Sequence, residues 1–382
     1  MTGKGPTVPE PVQESVPEPV QESVPESDQE SVPASDQESV PESDPESVPE
    51  SVPASDPDTG PEVVRRAVGA RCDRSDGYRH RLADPLPSPR DMLAAVVAGK
   101  LRPDRSQAAL IPVHPHRRRE FGAGPAETSA TWVGHATYVV RIGGLTVLTD
   151  PVWSSAILGA GGRLTPPGVE WDDLGPVDAV VISHSHYDHL DAPTIGRLPR
   201  TTPVFVPAGL GRWFRRRGFR TVTELDWWEE AELDGVVFGC VPARHWSRRG
   251  PFDLCRTLWS GWVLTGPGHR VYFAGDTAYG PHFGRIGAAF PGIDLALMPI
   301  GAYEPRALLS HAHVSPEEAV RGCLDAGAAR MATMHWGTFA LSGEPLLDPL
   351  ERARAAWRET GRDPADLWPL AVGESRSLPP GR

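Results

Sequence analysis

Four side chains of metal-ligand type fall within six residues in His184-Ser185-His186-Tyr187-Asp188-His189. The run follows directly on an apolar stretch, 178–183, that reads as a strand, so the first histidine leaves a rigid element and the turn after it lets the donors converge. Imidazole and carboxylate at this density suit zinc and its neighbours. They exceed the needs of one ion that keeps a position open for water, which points to two ions sharing a hydroxide nucleophile. Further donors close later runs: His245 in Pro242-Ala243-Arg244-His245-Trp246, Asp276 in Phe273-Ala274-Gly275-Asp276-Thr277, and His335 in Met334-His335-Trp336-Gly337. Asp276, in a Gly-Asp turn at a strand end, is placed where its carboxylate could bridge two metals. The expected ligand set is therefore His184, His186, Asp188, His189, His245, Asp276 and His335, holding two Zn2+ or other divalent transition metals.

Histidines without such neighbours read differently. His80, His114, His116, His269 and His282 are taken as structural hydrogen-bonders. His135, after a glycine on a strand, and Asp150, before Pro151, are expected to support ligands or turns rather than to ligate.

The elements that must position these donors are short β-rich runs separated by Gly, Pro and Asp: 131–142, 145–149, 179–183, 204–206, 236–241, 258–264, 271–274 and 295–298. Helical patterns fall near 91–99, 210–217, 316–326 and 350–360. Mixed strands with helices on their flanks predict an α/β sandwich.

The first 60 residues belong to no such pattern. From Glu10 an eight-residue repeat runs without insertion, Glu10–Pro17 and Glu18–Pro25 being identical, and its apolar members are Val, Pro and an occasional Ala. Stacking such units cannot bury enough surface to offset chain entropy, so 1–60 is expected to be a disordered acidic tail. It carries fifteen acidic residues against Lys4, a net −14 in a chain of −12, which leaves the body near +2. That near-neutral body, with only short Arg clusters such as Arg117-Arg118-Arg119, argues against nucleic acid as a partner. Residues 61–125 are expected to form an extension packed on the main domain, 126–375 the catalytic domain, and 376–382 a flexible C-terminus. The four cysteines are widely spaced, which indicates neither a disulfide framework nor a thiolate zinc site. With no apolar run of membrane-spanning length and no secretory signal at the start, the expectation is a cytoplasmic protein touching the inner membrane face only peripherally.

The order His-x-His-x-Asp-His, a later His, a Gly-Asp-Thr turn and a final His resembles the metallo-β-lactamase superfamily over roughly residues 130–340. Within it, Trp132-Val133-Gly134-His135-Ala136-Thr137, Leu148-Thr149-Asp150-Pro151, Glu224-Leu225-Asp226-Trp227-Trp228-Glu229-Glu230, Gly301-Ala302-Tyr303-Glu304-Pro305-Arg306 and His335-Trp336-Gly337-Thr338-Phe339-Ala340-Leu341 are similar to the N-acylphosphatidylethanolamine-hydrolysing phospholipase D family. The resemblance implies an αββα sandwich of two mixed β-sheets flanked by helices. It implies one metal on His184, His186 and His245, the other on Asp188, His189 and His335, and Asp276 bridging. It also places His313, ahead of Val314-Ser315-Pro316-Glu317-Glu318-Ala319, near the reacting phosphate. Ser185 stands where relatives often carry Asn.

The activity this implies is a phosphoric diester hydrolase of phospholipase D type. It would convert N-acylphosphatidylethanolamine to N-acylethanolamine and phosphatidate, with Asp276 and His313 catalytic and with Tyr187 and His313 contacting substrate. The alternative keeps the binuclear site but acts on a soluble phosphodiester, lactone or other ester. Arg212-Trp213-Phe214-Arg215-Arg216-Arg217 reads equally as a helix seated on an anionic membrane surface or as an ordinary solvated one.

Overall fold

The computed structural model describes residues 63–66 as a strand, together with 77–102, 105–114, 127–159 and 161–380. The expected tail 1–60, Cys72, His116 and the Arg117-Arg118-Arg119 stretch lie outside the described residues.

In chain order the strands are β1 (Val63–Arg66), β2 (Ser129–Gly134), β3 (Thr137–Ile142), β4 (Leu145–Thr149), β5 (Ala156–Ile157), β6 (Gly161–Gly162), β7 (Ala179–Val181), β8 (Val204–Pro207), β9 (Val222–Leu225), β10 (Glu230–Leu233), β11 (Val236–Val241), β12 (Gly261–Gly266), β13 (His269–Phe273), β14 (Leu295–Pro299), β15 (Arg330–Met334), β16 (Leu367–Trp368) and β17 (Ser375–Ser377). The α-helices are α1 (Pro89–Val97), α2 (Ala192–Arg197), α3 (Gly211–Arg215), α4 (His282–Ala289), α5 (Arg306–Leu309), α6 (Pro316–Asp325) and α7 (Asp348–Glu359). One sheet runs β1-β10-β11-β12-β13-β14-β15-β16 and the other β17-β2-β3-β4-β7-β8-β9, while β5 and β6 form a small hairpin. Both sheets are mixed. Their antiparallel portions give way to parallel pairing across β13-β14-β15 and across β4-β7-β8-β9.

Alternation along the strands builds the layers. Tyr138, Val140 and Ile142 of β3 face the core between the sheets, with Phe205 stacked on Phe238 across it at 4.0 Å. Val139, Leu148, Val180, Ile182, Val204 and Val206 face the opposite way, onto Ile195 of α2 and Phe214 of α3. The other sheet is covered by α4, α6 and α7 through Phe283, Ile286, Val320, Cys323, Ala353 and Trp357. The result is the expected αββα sandwich.

Several boundaries differ from expectation. The run 131–142 is two strands folded into a hairpin at Gly134-His135, where both residues take positive φ. β-prone residues flank Gly134-His135 on both sides, and every residue of β2 is buried, polar Ser129 and Thr131 included, so the run reads as one strand. The C-terminus was expected to be flexible from 376. Instead β17 pairs with β2 and the Leu378 N–H donates to the Thr128 carbonyl at 2.8 Å, so the chain is fixed through that point. Within the extension, β1 adds to the edge of a sheet beside β10, Arg81 pairs with Asp226 at 2.7 Å, and the His114 N–H donates to Val372.

Candidate metal centre

The donors converge at the carboxyl ends of strands. His184 follows β7, His245 follows β11, Asp276 follows β13 and His335 follows β15. Two glycines permit the approach. Gly275 has φ +61°, and a Cβ there would stand 2.7 Å from the Ser183 Cβ and 2.8 Å from the Ser260 carbonyl. Gly301 lies so close to the neighbouring strand end that a Cβ would meet the His335 carbonyl oxygen at 2.1 Å. In the parallel halves of both sheets, ligands characteristically gather at such strand ends.

The side chains form two groups with Asp276 between them. In one, His186 Nδ1 lies 2.8 Å from His184 Nε2 and 3.2 Å from His245 Nε2. In the other, Asp188 Oδ2 lies 3.4 Å from His189 Nε2 and 3.6 Å from His335 Nε2. Asp276 sends Oδ1 to His335 at 3.1 Å and Oδ2 to His189 at 3.1 Å, with His245 at 3.8 Å and His184 at 3.9 Å. His313 Nδ1 stands 4.0 Å from the same oxygen. All seven expected ligands and His313 are thus brought together.

Outer hydrogen bonds aim the inner nitrogens. Asp150, buried after β4, receives the Ser183 N–H at 2.7 Å and hydroxyl at 2.5 Å, and its Oδ2 lies 2.6 Å from His189 Nδ1. His245 Nδ1 faces the Ala312 carbonyl at 3.0 Å, and His184 Nδ1 faces the Ser183 hydroxyl at 2.9 Å. Each leaves Nε2 directed at the centre, the arrangement of an imidazole held for a metal.

Two positioning residues stand out more than the sequence suggested. His135, fully buried with φ +54°, lies 3.0 Å from Asp188 Oδ2, and its ring centroid is 4.1 Å from that of His335. Its carbonyl receives the His335 N–H at 3.0 Å. Arg249 was not anticipated. Its Nη1 donates to the carbonyls of Ser185, His186 and Leu190 at 3.1, 3.4 and 2.6 Å, which pins the loop bearing four of the donors. No motif signals it, because an arginine bonding to main-chain carbonyls needs no particular spacing.

Tyr187 donates its hydroxyl to the Arg249 carbonyl at 2.7 Å, and the Arg249 guanidinium covers its ring at 4.2 Å. Its hydroxyl is thus engaged within the protein. Ser185 turns away from the donors, accepting a hydrogen bond from Thr257 at 3.3 Å. His269 bridges Thr128 and the Pro379 carbonyl, His282 bonds Thr277, and neither joins the cluster.

The electrostatics require compensation. Burial works against charging His335, but the Asp276 and Asp188 carboxylates, 3.1 and 3.6 Å from its Nε2, outweigh it and hold the pKa at about 9. His189 is likewise raised despite burial, by Asp276, Asp188 and Asp150. Burial lowers His186 and His313 to about 4 and carries His184 and His245 well below the usual range. Cations here would replace protons on His189 and His335 as counter-charge to the carboxylates. Three atoms that face the centre support that fit: His189 Nε2, His335 Nε2 and Asp276 Oδ1 are buried without a hydrogen-bond partner, a costly state that ligation would relieve. Imidazole nitrogens facing each other at 2.8 and 3.2 Å are close to the ~3.3 Å edge of a tetrahedron with Zn–N bonds of about 2.05 Å.

A family model described as the beta-lactamase superfamily domain matches residues 146–336, half of the chain. The chain belongs to the beta-lactamase superfamily. Among relatives, an uncharacterized protein of Mycobacterium tuberculosis is 45% identical over 60% of this chain, which spans 63% of that relative's length. The N-acyl-phosphatidylethanolamine-hydrolyzing phospholipase D 1 of Caenorhabditis elegans is 37% identical over 64% of this chain and 73% of its own. Among solved structures, Igni18, a metallo hydrolase of Ignicoccus hospitalis, is 24% identical with a TM-score of 0.52 and covers 66% of this chain and 99% of its own, a likeness of fold alone. The superfamily match includes the whole ligand set from His184 to His335, and leaves the β2–β3 hairpin with His135 outside its bounds.

Proposed function

We propose that this superfamily member is a metal-dependent phosphodiesterase of phospholipase D type, hydrolysing N-acylphosphatidylethanolamine to N-acylethanolamine and phosphatidate. The observation that carries the hydrolytic reading is Asp276 between two donor groups, with its own Oδ1 and the His189 and His335 Nε2 atoms buried without hydrogen-bond partners. The lipid substrate rests on the 37% identity to the nematode phospholipase D.

In this reading His184, His186 and His245 would hold one Zn2+ and Asp188, His189 and His335 the other, with Asp276 between the two groups. When bound, such cations supply Lewis acidity, lowering the pKa of water and offsetting the phosphate's negative charge. The chain's own residues do the rest. Asp276 accepts a hydrogen bond from the attacking water and so fixes its direction. Asp150, hydrogen-bonded to His189, keeps that imidazole in the tautomer that presents Nε2. His313, kept neutral by burial, offers a ring N–H to a phosphate oxygen or to the departing alcohol. The Tyr187 ring lines the approach.

The test is to incubate metal-replete protein with N-acylphosphatidylethanolamine and with soluble phosphodiesters and lactones, and to identify products by mass. Release of N-acylethanolamine with phosphatidate is the expected outcome. Untouched lipid alongside turnover of a soluble ester would transfer the assignment to the alternative reading.

A further inference from the structure

Beside the metal-binding loop lies a second cavity, of roughly 300 Å³, walled by Arg212, Arg216, Arg217, Arg249, Trp213 and Ser185. Four arginines line this space: Arg212 and Arg216 are exposed, whereas Arg217 Nη1 donates to the Trp213 carbonyl at 3.0 Å and Arg249 Nη1 to main-chain carbonyls of the metal-binding loop. Among the described residues no carboxylate lies within ion-pair distance of them, whereas their neighbour Arg215 pairs with Glu224 at 3.0 Å. Asp253 is on the same wall, but its oxygens accept the main-chain N–H groups of Arg249 and Gly250 at 2.7–3.2 Å. An ordinary solvated helix would scatter its charges over the exposed side. Here Phe214 and Gly211 are buried under α3, and the half-buried Trp213 ring carries Arg217 at 3.5 Å and Arg249 at 5.7 Å, which holds two of the four cationic groups together.

We propose that this cavity binds the phosphate of an anionic phospholipid headgroup and seats the protein on the bilayer beside its reaction centre. Guanidinium forks match phosphate oxygens, and Arg217 and Arg249, already held by Trp213 and by main-chain carbonyls, lose little side-chain freedom on binding. The lipid rather than a soluble anion is favoured by Phe252, two residues beyond Gly250 in the loop that closes the cavity. It is 91% exposed, an orientation that water penalises and the acyl boundary of a bilayer rewards. Arg249 joins the two places, because the guanidinium on the cavity wall also holds the carbonyls of Ser185, His186 and Leu190. The inference deepens the phospholipid reading and rests on it for the choice of a lipid surface.

Binding is measured without substrate, by co-sedimentation with phosphatidylcholine vesicles with and without phosphatidylglycerol. The wild-type protein is expected to sediment with the phosphatidylglycerol vesicles alone and to be released as salt rises. The double variant Arg212→Gln/Arg216→Gln should lose about thirtyfold in partitioning, from two surface charges. Phe252→Ser should weaken partitioning without altering salt dependence. Unchanged melting temperature and metal content in both variants exclude misfolding as the cause. Equal sedimentation with neutral vesicles, or full binding by the arginine variant, overturns the inference. So does glycerol 3-phosphate binding to wild-type protein as tightly as the vesicles do, since the occupant would then be a soluble phosphate. A failure of N-acylphosphatidylethanolamine turnover leaves these readings intact, so the two assignments can fall separately.

Discussion

Asp150 makes no approach to the open centre, yet its carboxylate joins β4, the Ser183 end of β7 and His189 in one buried network. Asn at this position keeps an acceptor for the Ser183 N–H but removes the charge that orients His189. Asp150→Asn is therefore expected to weaken metal affinity about 10- to 100-fold with the fold retained, measured by competition against a chelating dye and by circular dichroism. Retention of wild-type affinity would assign Asp150 to turn geometry alone. His135 and Asp150 share with His335 a positive φ, at 54°, 34° and 62°. Strained backbone collected at the reactive end of a fold is a recurrent feature of functional sites.

Among the elements, the parallel trio β13-β14-β15 places Asp276 and His335 on strand ends that flank β14, and Gly301 at the end of β14 is what lets them close. A methyl group there collides with main chain, which cannot swing aside. Gly301→Ala is expected to destabilise the protein by roughly 1–3 kcal/mol and to lower metal occupancy, because His335 must shift. Urea unfolding and elemental analysis check the two effects, and a variant with wild-type stability would show the strand ends to be more yielding than this spacing indicates. By contrast, α6 begins with a complete capping box between Ser315 and Glu318. Ser315→Ala should cost about 1 kcal/mol in thermal unfolding, with metal occupancy held. That helix was legible in advance from its Ser-Pro-Glu-Glu start. The short α2 and the apolar-stretch boundaries at 134 and 261 were not, since burial on both faces erases the polar alternation that marks an end.

For the whole molecule, the centre joins both sheets, so its occupancy bears on the stability of the sandwich. Chelation is expected to lower the melting temperature and re-addition of zinc to restore it. The gain should depend on pH with a definite sign. Without cations His335 keeps its proton up to about pH 9, and a cation must displace it. Affinity therefore rises with pH by roughly tenfold per unit for each proton released, and the slope falls once pH passes about 9. Isothermal titration in buffers of different ionisation enthalpy counts the protons, and a pH-independent affinity would contradict the charge balance described. Among the described residues no helix is long and apolar enough to cross a membrane. What the sequence determined by itself was the set of donors and the class of architecture, because ligand chemistry is a property of residue types and the layers follow from hydrophobic alternation. What only the tertiary structure decided was the distances at which the two expected groups face each other across Asp276, the contacts by which His135 and Asp150 reach Asp188 and His189, and that Arg249 ties the His184–His189 loop to a cationic cavity. Those facts depend on strand ends from two sheets meeting in space, and sequence separation carries no record of that distance.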